Sequence, residues 1–307
     1  MNTQQPKGYL TNNCNMQNCE IIDGKLYAAE VLERVKSKIG HLSTVICKTQ
    51  RATLGLAVIL VGTDAASQIY VNNKAKKAKE IGFNSEVYKF PQTATEQEII
   101  ECIERLNSDP NVNGILVQLP LPQHINTQKI IDTVNYEKDV DGFSTYNVGL
   151  LNSWQDSLEP CTPQGVLILL HEILGTNISG KKAVILGRSR IVGRPMASIL
   201  IRKGCSVTSL NSNSYNIKDE CRTADILISA VGSPSFIKGD WIKKGACVID
   251  VGIVKVNDKL YGDVDFESVR KVAGFLTPVP GGVGPMTVSC LMLNTIKAAY
   301  KQYDIKW

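Results

Sequence analysis

Four lysines stand within six positions in Tyr-Val-Asn-Asn-Lys-Ala-Lys-Lys-Ala-Lys-Glu-Ile-Gly, residues 70–82: Lys74, Lys76, Lys77 and Lys79. A charge run of this kind is ordinarily the solvated face of a helix. On a wheel of about 100° per residue with Tyr70 at zero, Val71, Ala75, Ala78 and Gly82 gather between roughly 80° and 140° as a small apolar arc. Lys76 and Lys77 fall well outside that arc, whereas Lys74 and Lys79 lie on its two borders. Tyr70 and Lys74 form an i, i+4 pair, so Lys74 shares its border with a phenolic hydroxyl and Lys79 does not. A lysine held there loses part of its hydration and becomes usable as a general acid or base, with the tyrosine orienting a reacting oxygen. The plainer alternative is a lysine whose stem covers apolar surface while its ammonium stays wet.

Other polar residues stand where chemistry or structure could claim them. Gln118 interrupts the apolar run Gly114 to Leu119. A buried amide needs a partner, so it either holds an amine or substrate or bonds nearby backbone. Asp139 and Asp141 occur in Lys-Asp-Val-Asp-Gly-Phe, residues 138–143. Asp-Gly marks a turn, and either carboxylate could accept from a ligand's ring N–H or simply serve that turn. Residues 277–287, Thr-Pro-Val-Pro-Gly-Gly-Val-Gly-Pro-Met-Thr, hold three prolines and three glycines. Such a segment is stiff at some bonds and open to close backbone approach at others, suiting a wall against a flat ligand or an irregular connector.

A second constellation lies at a strand–helix junction. Lys-Lys-Ala-Val-Ile-Leu runs into Gly187, Arg188, Ser189, Arg190, Ile191, Val192, Gly193, Arg194 and Pro195. The usual G-x-G-x-x-G is absent, and Gly187, Ser189 and Gly193 stand in G-x-S-x-x-x-G-x-P. A turn feeding a helix N-terminus still offers amides and a positive dipole end to a pyrophosphate, although any α/β junction carries glycines. The next strand ends in Asn211-Ser212-Asn213, without the acid that an NAD site uses on the ribose 2′-OH. Arg188 could reach a 2′-phosphate, with Arg190 and Arg194 adding charge, which favours NADP over NAD; otherwise Arg188 is a surface arginine. A nucleophile elbow needs glycine where Ile191 stands.

The elements that must position these groups alternate between strand and helix. Leu54 to Val61, Ser85 to Phe90 and Gly114 to Leu119 read as strands, with Ala65 to Ile81 and Glu96 to Asn107 as helices between them. After Trp154, Gln164 to Leu174 and Pro195 to Lys203 read as helices. Lys182 to Leu186, Cys205 to Leu210, Ile226 to Val231 and Ala246 to Val251 read as strands. This alternation implies two α/β domains with parallel sheets, the second a Rossmann-like dinucleotide-binding domain. The composition shift at Asn147 to Pro163 marks the linker, and Val288 to Tyr303 is a helix long enough to pack back on the first domain. The division expected is 1–153 with 288–307 for one domain and 154–287 for the other.

The bulk numbers exclude several classes. A net charge of +5 over 307 residues suits small anionic ligands and falls short of a nucleic-acid footprint. No apolar run reaches the ~18 residues of a membrane span. Nine cysteines without C-x-x-C favour reduced thiols in the cytoplasm, and three scattered histidines argue against zinc and against a hydrolase triad. Asn177-Ile178-Ser179 fits a glycosylation acceptor, but nothing else suggests secretion. The polar first twenty residues read as a frayed tail.

Taken in order, the motifs resemble one family. They are Val61 to Lys74, Gly114 to Pro122, Lys138 to Phe143, Pro-Cys-Thr-Pro at 160–163, Gly187 to Pro195, Asp250 to Ile253, Gly262 to Phe266 and Thr277 to Thr287. Their order and spacing resemble methylenetetrahydrofolate dehydrogenase/methenyltetrahydrofolate cyclohydrolase, over about residues 20 to 300. The resemblance implies a cleft between the domains, with folate on the first and the nicotinamide of NADP on the second. It carries the family's catalytic and substrate residues onto Tyr70, Lys74, Gln118, Leu119 and Asp141, and the wall around pterin and nicotinamide onto Pro278, Pro280, Gly281 and Gly282. It carries the cofactor contacts onto Gly187, Arg188, Ser189, Gly193, Ser212 and Ile253. Cys161 falls near the cofactor without a catalytic thiolate being required.

The implied chemistry has two steps. Hydride leaves the methylene bridge of 5,10-methylenetetrahydrofolate for NADP⁺, and water then opens the 5,10-methenyl product to 10-formyltetrahydrofolate. Lys74, tuned by Gln118 and oriented by Tyr70, is the expected general acid/base of the second step, and Asp141 the pterin anchor. The resemblance also implies a cytoplasmic homodimer, formed through the second domain, in one-carbon metabolism and purine biosynthesis. It implies no metal, nucleic-acid or membrane partner. A monofunctional dehydrogenase or an NAD-preferring variant is the alternative. The sequence departs from many relatives at Asn211, where they carry His, and at Ser144-Thr145, where they often carry His-Pro. The first departure bears on cofactor preference, the second on loop detail. The ligase domain fused to some relatives has no counterpart in these residues.

Overall fold

A computed structural model describes residues 19–46 and 54–307; the polar N-terminal tail, Cys14 and Cys47 lie outside them. The first half runs through β1 (Glu20–Ile21), α1 (Gly24–Ile46), β2 (Gly55–Val61), α2 (Ala65–Glu80), β3 (Asn84–Phe90), α3 (Glu96–Ser108) and β4 (Gly114–Val117). Then come α4 (Thr127–Thr133), α5 (Thr145–Asn152), α6 (Cys161–Leu174), β5 (Lys182–Leu186), α7 (Gly193–Arg202), β6 (Ser206–Leu210), α8 (Ile217–Arg222) and β7 (Ile226–Ser229). The chain closes with β8 (Cys247–Asp250), a hairpin of β9 (Val254–Val256) and β10 (Lys259–Tyr261), α9 (Phe266–Val269), β11 (Phe275–Leu276) and α10 (Val283–Gln302).

Two parallel sheets result. The first has the order β3-β2-β4 and the second β1-β11-β8-β7-β5-β6. All seven residues of β2 are buried, as expected of a strand covered by helices on both faces. Helix α3 shows the local logic well. Thr95 and Glu98 close a capping box, and Ile99, Ile103 and Leu106 bury one stripe beneath it. Asp64 caps α2 by accepting from the Ser67 amide at 2.7 Å.

The structure differs from the sequence expectation at several boundaries. Glu20–Ile21 pairs with β11 in the second sheet, although the division expected places these residues with the first domain. β4 ends at Val117, so Gln118 stands just beyond the strand, with its amide still donating to the Ile59 carbonyl at 2.9 Å. Helix α10 begins at Val283 rather than Val288, because Pro285 sits in its first turn, where a missing N–H costs nothing. The last part of the Pro/Gly-rich segment is thus helix, not connector.

Three helices serve both halves. In α1, Ala28 and Val31 pack into the core of the second sheet, and Val35 and Leu42 into that of the first. In α10, Val283 and Met286 join the second core, while Leu291, Ile296 and Tyr300 join the first. Helix α6 sends Cys161 to the first core and Val166 to Leu170 to the second. Among the described residues no helix is long and apolar enough to cross a membrane.

Candidate active site

Lys74 is the one lysine of its run that α2 buries, at 8% exposure, while Lys76 and Lys79 are exposed and Lys77 pairs with Glu80 at 2.5 Å. Its Nζ donates to Gln118 Oε1 at 3.1 Å. The Gln118 Nε2 donates in turn to the Leu119 carbonyl at 2.7 Å, so the amide is anchored to backbone and presents its oxygen to the lysine. The Gln118 side chain thus bonds both the Lys74 nitrogen and nearby backbone. No hydrogen bond joins the Tyr70 hydroxyl to Lys74 among the described residues; Tyr70 is 40% exposed, one turn earlier on the same helix edge. Burial of the ring raises the Tyr70 pKa, keeping the hydroxyl protonated. Gln118, rather than Tyr70, therefore holds the Lys74 side-chain nitrogen.

Asp139 and Asp141 differ in their partners, Asp141 having a side-chain hydrogen bond with Cys161. The Asp139 carboxylate is buried and accepts from the Ser144 amide at 2.7 Å and from Asn147 Nδ2 at 3.1 Å, so it is spent on the turn and on α5. Asp141 remains partly exposed. Desolvation pushes its carboxyl up to about 6, against the pull of the Lys74 charge and with help from Asp139. The loop carrying both aspartates lies along β4, bridging Asp139 to Ile115, and Asp141 lies within electrostatic reach of Lys74.

A residue that sequence reasoning passed over holds this loop. Asn294 on α10 is fully buried, and its Nδ2 donates to the carbonyls of Val140 and Glu159, both at 2.8 Å. Its signal in the sequence is an amide within a largely apolar helix. The Cys161 Sγ lies 3.3 Å from the Val140 oxygen, and burial pushes the thiol well up, so it stays protonated.

The second half presents the glycine-flanked turn between β5 and α7. Gly187 has φ +104°, and a Cβ there would lie 2.3 Å from the Ala230 carbonyl oxygen. A Cβ on Gly193 would lie 1.9 Å from the Gly187 oxygen, so the helix starts directly against the turn. The Ser189 hydroxyl accepts from the amides of Val192 and Gly193 at 3.1 and 3.4 Å. Arg188 donates to the Ser209 carbonyl through Nε and Nη2 at 3.2 and 2.8 Å, which lays it against the end of β6; Ser212, just beyond that strand, is exposed. Arg188, Arg194, Ser198 and Ser209 line a groove of about 710 Å³. Two guanidinium groups and two hydroxyls make this groove basic and polar, chemistry that suits a phosphate group.

Two buried acids brace the neighbouring loops. Asp263 accepts from Ser229 Oγ, Val231 N and Ser233 N at 2.9, 2.7 and 2.8 Å. Asp250 accepts from the amides of Gly252, Asp263 and Val264 at 3.0, 2.9 and 2.9 Å. Desolvation raises Asp250 to about 7 even against those bonds. The loop after Asp250 presents Ile253, 41% exposed, with its Cδ1 3.7 Å from the Cβ position of Gly284. Ile253 thus lies against the first turn of α10, which follows the segment holding Pro278, Pro280, Gly281 and Gly282, in which Pro280 is exposed and Gly282 caps α10.

One parallel α/β half with a buried lysine–amide pair, joined to a Rossmann-like half with a basic, glycine-flanked turn, defines a two-domain nucleotide-dependent enzyme. Comparison with known proteins narrows the class. The family model for the tetrahydrofolate dehydrogenase/cyclohydrolase catalytic domain matches residues 22–141, and that for its NAD(P)-binding domain matches residues 160–303. Bifunctional protein FolD 2 of Paracoccus denitrificans is 50% identical over 282 residues, covering 91% of this chain and 92% of that protein. Bifunctional protein FolD of Moorella thermoacetica is 51% identical over 281 residues, 91% and 98% of the respective lengths. The Campylobacter jejuni FolD methylenetetrahydrofolate dehydrogenase/cyclohydrolase superposes with a TM-score of 0.88 at 43% identity, over 92% of this chain and 99% of that one. The Trypanosoma brucei enzyme, solved with NADP cofactor and inhibitor, gives 0.87 at 36% identity over 93% and 98%. The chain belongs to the tetrahydrofolate dehydrogenase/cyclohydrolase family.

Proposed function

We propose that this chain oxidises 5,10-methylenetetrahydrofolate with NADP⁺ and hydrolyses the resulting 5,10-methenyltetrahydrofolate to 10-formyltetrahydrofolate. The observation that carries the hydrolytic half is the 3.1 Å bond between Lys74 and a backbone-anchored Gln118. Lys74 moves the proton as water adds to the methenyl carbon and the ring opens, with the Tyr70 hydroxyl orienting the reacting oxygen. Asp141, unspent on the turn, accepts from pterin N–H groups. Leu119, Pro278, Pro280, Gly281 and Gly282 supply the walls. NADP, when bound, accepts the hydride; the Gly187–Gly193 turn with Ser189 holds its pyrophosphate, Arg188 and Ser212 its 2′-phosphate, and Ile253 the nicotinamide face. Asn211-Ser212-Asn213, with no acid, favours NADP over NAD.

The same reading divides the chain into a folate domain, 1–153 with 288–307, and a nucleotide domain, 154–287, except that Glu20–Ile21 adds its strand to the nucleotide-domain sheet. Free thiols at all seven described cysteines suit a reducing cytoplasm. Exposed Val256, Leu260 and Tyr261 on the β9–β10 hairpin offer apolar surface to a second copy of the nucleotide domain. The decisive assay supplies the purified chain with methylene-folate and NADP⁺ or NAD⁺ and follows reduced-nicotinamide absorbance, then supplies methenyl-folate alone and follows its loss. Absence of the second activity with the first intact would make it a monofunctional dehydrogenase.

A further inference from the structure

One side chain joins the Gly187–Gly193 turn to the Asp141 loop. Arg190 stands at the middle of the turn, and its Nη2 donates to the Phe143 carbonyl at 2.8 Å. Its neighbours are engaged elsewhere: Arg188 on the Ser209 carbonyl, and Arg194, whose Nε donates to the Arg188 carbonyl at 3.2 Å. Phe143 is two residues beyond Asp141, and the next residue, Ser144, is held by Asp139 at 2.7 Å. Asp132, which accepts from the Thr145 amide at 2.7 Å, lies near enough to feel the Arg190 charge. The half-buried Arg190 therefore bonds a carbonyl of the opposite half and lies within electrostatic range of a carboxylate there.

We propose that Arg190 is a positioning residue: its bond to Phe143 sets the distance between the nicotinamide held by the turn and the one-carbon bridge of a folate held at Asp141. The inference rests on the bifunctional reading above. Hydride transfer requires reacting atoms about 3–3.5 Å apart, and a displacement of about 1 Å costs on the order of 10²-fold in rate. Hydrolysis of the methenyl product uses Lys74, Gln118 and Asp141, all on one side of the tie. Breaking the tie should therefore separate the two activities.

The test compares Arg190→Met, which keeps the stem and deletes the donors, with Arg190→Lys in the full chain. The expected result for Arg190→Met is a dehydrogenase kcat lower by about 10- to 100-fold, with cofactor-free cyclohydrolase kcat/KM within about 2-fold of the parent and an NADP⁺ Kd that changes by clearly less than kcat does. Arg190→Lys, with one ammonium reaching the same carbonyl, should recover part of the loss. The isotope effect on a bridge-deuterated substrate should rise as the hydride step becomes limiting. An NADP⁺ Kd weakened about 10-fold with kcat intact would make Arg190 a phosphate ligand and overturn the tie. Parallel loss of both activities, or no change in either, would overturn it as well. A parent chain lacking one of the activities would instead sink the functional reading.

Discussion

Replacing Lys74 with methionine isolates the proton-transfer role, because the buried stem is kept and only the ammonium goes. General acid/base catalysis contributes about 10²–10⁴-fold, equivalent to roughly 2.7–5.4 kcal/mol of barrier. Stability should fall by less. Gln118 Oε1 loses its 3.1 Å donor, but Gln118 is half-buried and water can replace the bond, so the cost belongs at the low end of about 1–3 kcal/mol. A second effect runs through Asp141. The Lys74 charge opposes the desolvation that lifts this carboxyl to about 6, so the variant's Asp141 should titrate higher still. Arg at position 74 keeps the charge near Asp141 but cannot give up its proton. The assay is methenyl-folate hydrolysis across pH, with folate binding measured alongside. Both variants should lose hydrolysis by the stated factor and still bind folate, and only Lys74→Met should move the Asp141 inflection. A Lys74→Met enzyme hydrolysing within about 3-fold of the parent would refute Lys74 as the acid/base.

Asp141→Asn should raise the folate KM at neutral pH; in the parent, folate affinity should fall as pH drops through about 6, and that inflection should vanish in the variant. Gly193→Ala should weaken NADP⁺ binding and cost about 1–3 kcal/mol in denaturant unfolding, since its Cβ would meet the Gly187 oxygen at 1.9 Å. Asp250 is raised from 3.8 to about 7, so its stabilising contribution is complete below about pH 4 and is lost as pH rises through about 7. The stability of the parent minus that of Asp250→Asn should therefore fall across that window, and a flat difference would contradict the raised carboxyl.

Strands covered on both faces were readable from sequence because burial leaves a nearly unbroken apolar run, as in β2 and β4. Two-residue strands such as β1 and β11 carry no period, and their pairing is set by distant backbone. The start of α10 was misjudged because Pro285 and Gly284 look like loop until the helix's first turn is seen to contain them. The wheel placed Lys74 at a border but could not choose it over Lys79; that choice depends on Gln118, 44 residues away. Likewise Asp139 and Asp141 share one turn, and only their partners separate them, Ser144 and Asn147 for the first and Cys161 for the second.

The sharing of α1, α6 and α10 between two cores has a mechanical consequence. Each helix is a continuous hydrogen-bonded rod with one end embedded on either side, and together they act as a stiff spine. The two halves cannot swing apart on a single flexible linker, because opening must bend or shear three rods at once. The pieces also cannot be cut out as two contiguous segments, since β1 sits in one sheet while α10 returns to the core of the other. Heat or denaturant should therefore melt the molecule in one transition, and movement between the halves should be a small shear along the spine.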